Sequence, residues 1–216
     1  KGVIHTVEAV LAAILFLFFL LAVMPRMTSQ PEPQENVDRR VMKTLRTMDL
    51  NNSLRGPLTE RNISEVKDRI SSHIDAMSVE ISALFLNSTT GHATFSSSLS
   101  RQFQVDRGLA ERVELRIWFE DAESPNVSVN GNTVDRFTGT VDSYHSYEVL
   151  NYTSDGSNTF RINVSGSSEA GYTIGVYERN RTGQPPEEVE VFSTSYMVSG
   201  NGTSYVPVEV SVLSWR

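Results

Sequence analysis

An unbroken apolar run, AVLAAILFLFFLLAVM at residues 9–24, with a single carboxylate, Glu8, at its leading edge, constrains this chain more than any other feature. A segment apolar on every side needs apolar surroundings on every side, either lipid or further copies of itself. A carboxylate at its head is costly there unless a positive group pairs with it. Val3 to Met24 is 22 residues. At the helical rise that is roughly 33 Å, enough to cross a bilayer. Lys1 supplies a positive flank, but the exit Val23-Met24-Pro25-Arg26-Met27 lacks the small-x-small pattern of a cleaved secretory signal. A membrane anchor and a segment packed among copies of itself both stay open. Pro25 ends or kinks any helix formed by the run.

Residues 1–24 (KGVIHTVEAVLAAILFLFFLLAVM) resemble the N-termini of archaeal type IV pilins and pilin-like proteins. The features that carry the resemblance are a basic residue and glycine (Lys1, Gly2), an early glutamate (Glu8) and the apolar stretch behind it. The resemblance implies that Glu8 neutralises the amino terminus of a neighbouring subunit during assembly. It also implies a processing peptidase, an assembly ATPase with its membrane platform, and a filament built of copies of this chain. The family glutamate usually stands fifth in the mature chain, whereas Glu8 is eighth from Lys1, or sixth after cleavage behind Gly2. Phe16, Phe18 and Phe19 offer large apolar area for packing between copies. With Lys1 and Glu8 they form the candidate assembly set.

The rest of the chain is read as an exterior part. Eight Asn-x-Ser/Thr sequons stand at Asn51, Asn62, Asn87, Asn126, Asn151, Asn163, Asn180 and Asn201. That is roughly three times the number composition gives by chance. All lie beyond the apolar run. The expectation is therefore a cytoplasmic-side N-terminus, a membrane location before assembly, and an extracellular remainder carrying covalent N-linked glycans, without other cofactors. Cysteine is absent, so neither disulfides nor thiolate metal sites are available. The formal charge of −7 argues against a nucleic-acid partner, which needs a basic face.

Periodicity organises this exterior part. Residues 28–36 (TSQPEPQEN) read as a linker. Asn36 is placed to cap a helix whose stripe is Val37, Val41, Leu45 and Met48. Residues 51–61 read as a loop. A further helix over 63–77 places Ile63, Val66, Ile70, Ile74 and Met77 on one face, with Asn62 and Glu65 as a capping box. If Asn62 caps, its side chain is occupied, and it is the least favoured sequon.

After residue 78 the period becomes two. Val113, Leu115, Ile117 and Phe119 alternate with polar residues and Trp118; Phe160, Ile162 and Val164 alternate likewise; Val206, Val208, Val210 and Val212 make a valine face. Further strands are expected over 78–86, 93–99, 145–150, 172–177 and 188–198. Asn130-Gly131, Asp155-Gly156 and Asn201-Gly202 are hairpin-turn signals.

The expected fold class is α+β. A long N-terminal hydrophobic helix covers 1–25, linker and stalk helices cover 26–77, and an antiparallel β-rich, sandwich-like extracellular domain covers 78–216.

No catalytic constellation emerges. His5, His73, His92 and His145 are scattered, with surface roles expected for His73 and His145. No His pair stands at metal-ligand spacing, and no phosphate loop or nucleophile elbow occurs. The acidic stretches Glu120-Asp121-Ala122-Glu123 and Glu187-Glu188-Val189-Glu190 read as solvated faces rather than calcium sites. The expected function is a non-enzymatic structural subunit of an archaeal type IV pilus or related filament, with adhesion among the roles such a surface serves. The alternative is a single-pass membrane-anchored adhesin or binding ectodomain that does not polymerise.

Overall fold

From Ser78 onward, side chains two residues apart share a face, and the apolar ones gather on one side of each strand. In the computed structural model, which describes residues 34–74, 78–199 and 207–215, this alternation builds ten strands in two antiparallel sheets. They are β1 (Ser78–Phe95), β2 (Ser98–Val105), β3 (Ala110–Glu123), β4 (Asn126–Val129), β5 (Asn132–Arg136), β6 (Thr140–Glu148), β7 (Gly156–Asn163), β8 (Ser168–Arg181), β9 (Phe192–Val198) and β10 (Val208–Trp215). The larger sheet has the order β6-β3-β8-β1-β10-β9 and the smaller β2-β7-β4-β5.

The two sheets enclose one core. Val113, Leu115, Ile117 and Phe119 of β3, with Ala170, Tyr172, Ile174 and Val176 of β8, meet Leu99, Phe103, Val127, Val129, Phe160 and Ile162 of the smaller sheet. Phe160 and Tyr172 pack with ring centroids 5.0 Å apart. Asn130 (φ 50°) and Gly131 (φ 82°) take the left-handed geometry that a two-residue turn needs between β4 and β5, as the Asn-Gly signal predicts. Asn201-Gly202 lies outside the described residues.

Among the described residues, three helices precede the sheets: α1 (Gln34–Leu50), α2 (Arg55–Thr59) and α3 (Ile63–Ser71). The chain divides into two compact units, Lys1–Arg40 and Val41–Arg216. Of the first unit, residues 34–40 are described, as the opening of α1. In the second, Val41, Leu45, Leu54, Leu58, Val66 and Ile70 are all buried. The helical segment is tied to the larger sheet by Lys67 Nζ to Glu80 at 2.7 Å, by Arg61 Nη1 to Glu178 at 2.7 Å, and by the Tyr196 hydroxyl donating to Asp49 at 3.0 Å. The Arg61 guanidinium also lies over the Phe85 ring, 5.2 Å from its centroid.

Several expectations are corrected. The described residues form a β-rich fold with a short helical segment, and none of their helices is long and apolar enough to cross a membrane. This overturns the α+β class and the transmembrane-helix expectation as properties of the described chain; the run 9–24 lies outside the described residues. The helix expected over 63–77 stops at Ser71. There the Ser72 hydroxyl and the His73 ring turn back to the Arg69 carbonyl, each at 2.7 Å, and offer the backbone an alternative to further turns. Its start is as expected: Asn62 Oδ1 accepts from Glu65 N at 3.2 Å. Asn36 is not a cap, because α1 already runs from Gln34. The loop expected over 51–61 contains α2.

Candidate functional site

The outer face of the larger sheet should be polar throughout, since its alternate residues face away from the core. One row on this face places two exposed aromatic side chains side by side. Tyr144 of β6 is the register partner of Trp118 of β3, Trp118 of Gly171 of β8, and Gly171 of His92 of β1. Trp118 is 52% and Tyr144 53% exposed, so two large aromatic side chains stand side by side in water. The neighbouring row is Ser146, Arg116, Thr173 and Thr90, and the hydroxyls of Thr90 and Thr173 lie 3.2 Å apart. All of these except Ser146, with Gly91 and Tyr172, line an open groove of about 640 Å³. That volume falls within the roughly 300–1,000 Å³ of small-ligand sites.

Glycine shapes the groove from both sides of the sheet. A Cβ on Gly171 would stand 3.5 Å from His92 and 3.9 Å from Trp118, on the outer face. A Cβ on Gly91 would instead fall 2.3 Å from the Tyr172 hydroxyl, on the core side. Gly91 thus makes room for the Tyr172 phenol, whose oxygen accepts from Arg101 Nε at 3.0 Å.

The Arg116 guanidinium beside the groove is matched within the chain. Arg116 donates to Glu114 at 2.8 Å. Glu114 also accepts from Ser146 at 2.9 Å and from Tyr177 at 3.2 Å. The Arg116 hydrogen bond, opposed by partial burial and helped by Ser146 and Tyr177, holds the Glu114 carboxyl below the ordinary value of 4.5. A depressed carboxylate contributes stability that is present above its unfolded pKa and is lost as pH falls through the folded one. We therefore expect the melting-temperature deficit of Glu114→Gln at pH 7 to shrink on acidification to about pH 3, as thermal melts at both pH values would show. An equal deficit at both would exclude this role for Glu114.

At the other rim, His92 Nε2 lies 3.0 Å from Glu169 Oε1. Ligand atoms of His92, Glu120 and Glu169 fall within 4.8 Å of one another. The trio can hold an ion pair when the imidazole is protonated, or offer three donors to a divalent cation when it is neutral. Glu120 belongs to an acidic stretch singled out in the sequence, whereas its grouping with His92 and Glu169 depends on strand register. His145 is not a surface residue as expected. It is half-buried, 4.6 Å from the Phe137 ring and stacked 6.2 Å from Tyr147.

The other residues singled out in the sequence do not converge. Lys1, Glu8, Phe16, Phe18, Phe19 and Asn201 lie outside the described residues. Asn51, Asn151 and Asn163 are exposed, the last facing outward beside buried Ile162 as alternation requires. Asn62 is occupied as a helix cap. Asn87 is exposed, but its amide is engaged: Oδ1 accepts from Arg61 at 2.8 Å and Nδ2 donates to Glu178 at 2.8 Å. Asn126 and Asn180 bury Oδ1 without a hydrogen-bond partner among the described residues.

No protein-family model and no curated protein matches this chain. Among solved structures it is similar to dimeric latent PorU from Porphyromonas gingivalis, at 9% identity and a TM-score of 0.32. The match covers 62% of this chain and 20% of that one, and no argument rests on it. None of these comparisons gives family evidence for a pilin, a glycoprotein or an adhesion protein, which corrects those descriptors as labels for the chain.

Proposed function

We propose that this chain is a structural subunit of an extracellular filament. Residues 9–24 would pack copies together, and the β-sandwich would form the outer surface. The observation that carries this reading is the uninterrupted apolar run with a lone acid at its head. Such a run needs apolar surroundings, and Glu8 needs a cation beside it. A polymer supplies both, the first from neighbouring runs and the second from a neighbour's amino terminus. The resemblance of residues 1–24 to archaeal type IV pilins supports the same arrangement and adds a processing peptidase and an assembly ATPase as partners. Packing between copies through Phe16, Phe18 and Phe19 would contribute roughly 25 cal/mol per Å² of apolar area, before the costs of association.

Electron microscopy of surface filaments tests the reading. Glu8→Gln removes the charge and keeps the shape. It is expected to reduce filament number by at least tenfold, equivalent to about 1.4 kcal/mol or more of lost pairing. Unchanged filament number and length would overturn the role of Glu8, and an absence of filaments containing the unaltered chain would overturn the function. A second reading, a surface-attached binding ectodomain that does not polymerise, is favoured by the groove around Trp118.

A further inference from the structure

The groove on the larger sheet has a composition that selects a class of ligand. Trp118 and Tyr144 keep about half of their surface in water, on the outward face of the sheet where nothing in the core requires them. Adjacent strands lie about 4.8 Å apart, so the two rings flank each other across the sheet. Beside them Gly171 leaves a slot one strand wide between the indole and the imidazole of His92. Thr90, Thr173 and Arg116 border this slot with hydroxyl and guanidinium groups. Arg116 is matched by Glu114, and His92 stands against both Glu169 and Glu120, so the groove presents no surplus positive charge to a ligand. Flat apolar faces and directional hydrogen-bonding groups, without a surplus cation, are the complement of a pyranose ring, which has apolar C–H faces and a rim of hydroxyls. An anionic ligand would face carboxylates at both rims, Glu114 on one side and Glu120 and Glu169 on the other. An apolar peptide would leave the two threonines and Arg116 without matching groups.

We propose that this groove binds a neutral oligosaccharide lying across the strands. Trp118 and Tyr144 stack on its sugar rings, and Thr90, Thr173 and Arg116 bond its hydroxyls. The inference does not depend on whether the chain polymerises.

Titration of the full chain with cellohexaose, chitohexaose, mannohexaose and maltohexaose tests it, in a detergent without a sugar headgroup. Calorimetry and tryptophan fluorescence provide the readouts. At least one probe is expected to bind and to shift the emission of the exposed Trp118. Trp118→Ala should weaken that binding at least roughly tenfold, while Trp118→Phe, which keeps a stacking face, should lose less. Circular dichroism checks that the variants are folded. Should Trp118→Ala fail that check, Tyr144→Ala replaces it, with the same expected loss. Absence of binding by all of these probes at millimolar concentration overturns the proposal, as does unchanged affinity in the folded variant. If no probe binds and Trp118→Ala alters self-association in sedimentation velocity, the surface is an interface between copies and the proposal also falls.

Discussion

Phe160→Ala is expected to destabilise the sandwich by about 3–5 kcal/mol, the range for truncating a fully buried aromatic residue. Phe160 has no exposed surface and stands at the centre of the smaller sheet's inner face. Its ring packs against Tyr172 across the core, 5.0 Å between centroids and tilted by 57°. Removing it takes away apolar burial and the edge contact with the phenol, and leaves a void that β-sheet backbones on both sides cannot close. For a unit of this size the loss corresponds to a fall in melting temperature of roughly 10 °C or more. Thermal or urea unfolding of the purified variant would measure it. A shift within about 1 kcal/mol would mean that the sheets do not pack as described.

Gly91→Ala is expected to cost up to about 3 kcal/mol by the opposite route, overpacking. The added methyl would sit 2.3 Å from the Tyr172 hydroxyl and 2.5 Å from Cζ, closer than any van der Waals contact permits. The ring would have to leave its place, losing its contact with Phe160 and the hydrogen bond from Arg101 at 3.0 Å. Tyr172→Leu in the same chain removes the obstructing ring, so the added cost of Gly91→Ala should largely disappear in that background. A double-mutant cycle by chemical denaturation checks this coupling, and simple additivity of the two substitutions would contradict it. Because Thr90 and His92 flank Gly91 in sequence, the single variant should also disturb the groove.

Much of the sandwich was legible in period-two alternation. Val113, Leu115, Ile117 and Phe119 of β3 share one face by their spacing and are buried together. Strand lengths were less legible. β1 continues to Phe95 through Ser88, Thr89, Thr90 and Gly91, a polar stretch that no apolar alternation marks, because there side chains of both faces meet water. The register of β3 against β6 also shifts between Phe119 and Ala122, where Asp121 takes φ 48°. The helix over Arg55–Thr59 escapes a reading by pattern because Gly56 and Pro57 look like loop residues; Pro is tolerated in the first turn, where its missing N–H has no partner to lose.

The groove was the least legible feature. Its residues come from four strands separated by long stretches of chain, and only their register brings them into one row. One local signal was present: Trp118 occupies the polar parity of an otherwise strictly alternating strand, where burial cannot account for a large aromatic side chain. The apolar run was the clearest signal in the sequence, but it lies outside the residues from which the fold is described.

The length of β1 has a mechanical consequence. The chain enters the larger sheet at Ser78 and reaches the groove at His92, about 48 Å away at roughly 3.4 Å per residue. β1 is paired with β8 from Ser82 to Phe95. A pull between Ser78 and the Trp118 side of the groove, on β3, runs along the strands and loads the β1–β8 and β8–β3 hydrogen bonds together, in shear. Ser78 is also the register partner of Trp215 in β10, at the same end of the sheet. A pull between those two residues would instead open β1 from β10 one pair at a time. The sheet is therefore stiff along the line from its N-terminal entry to the groove and readily unzipped between Ser78 and Trp215.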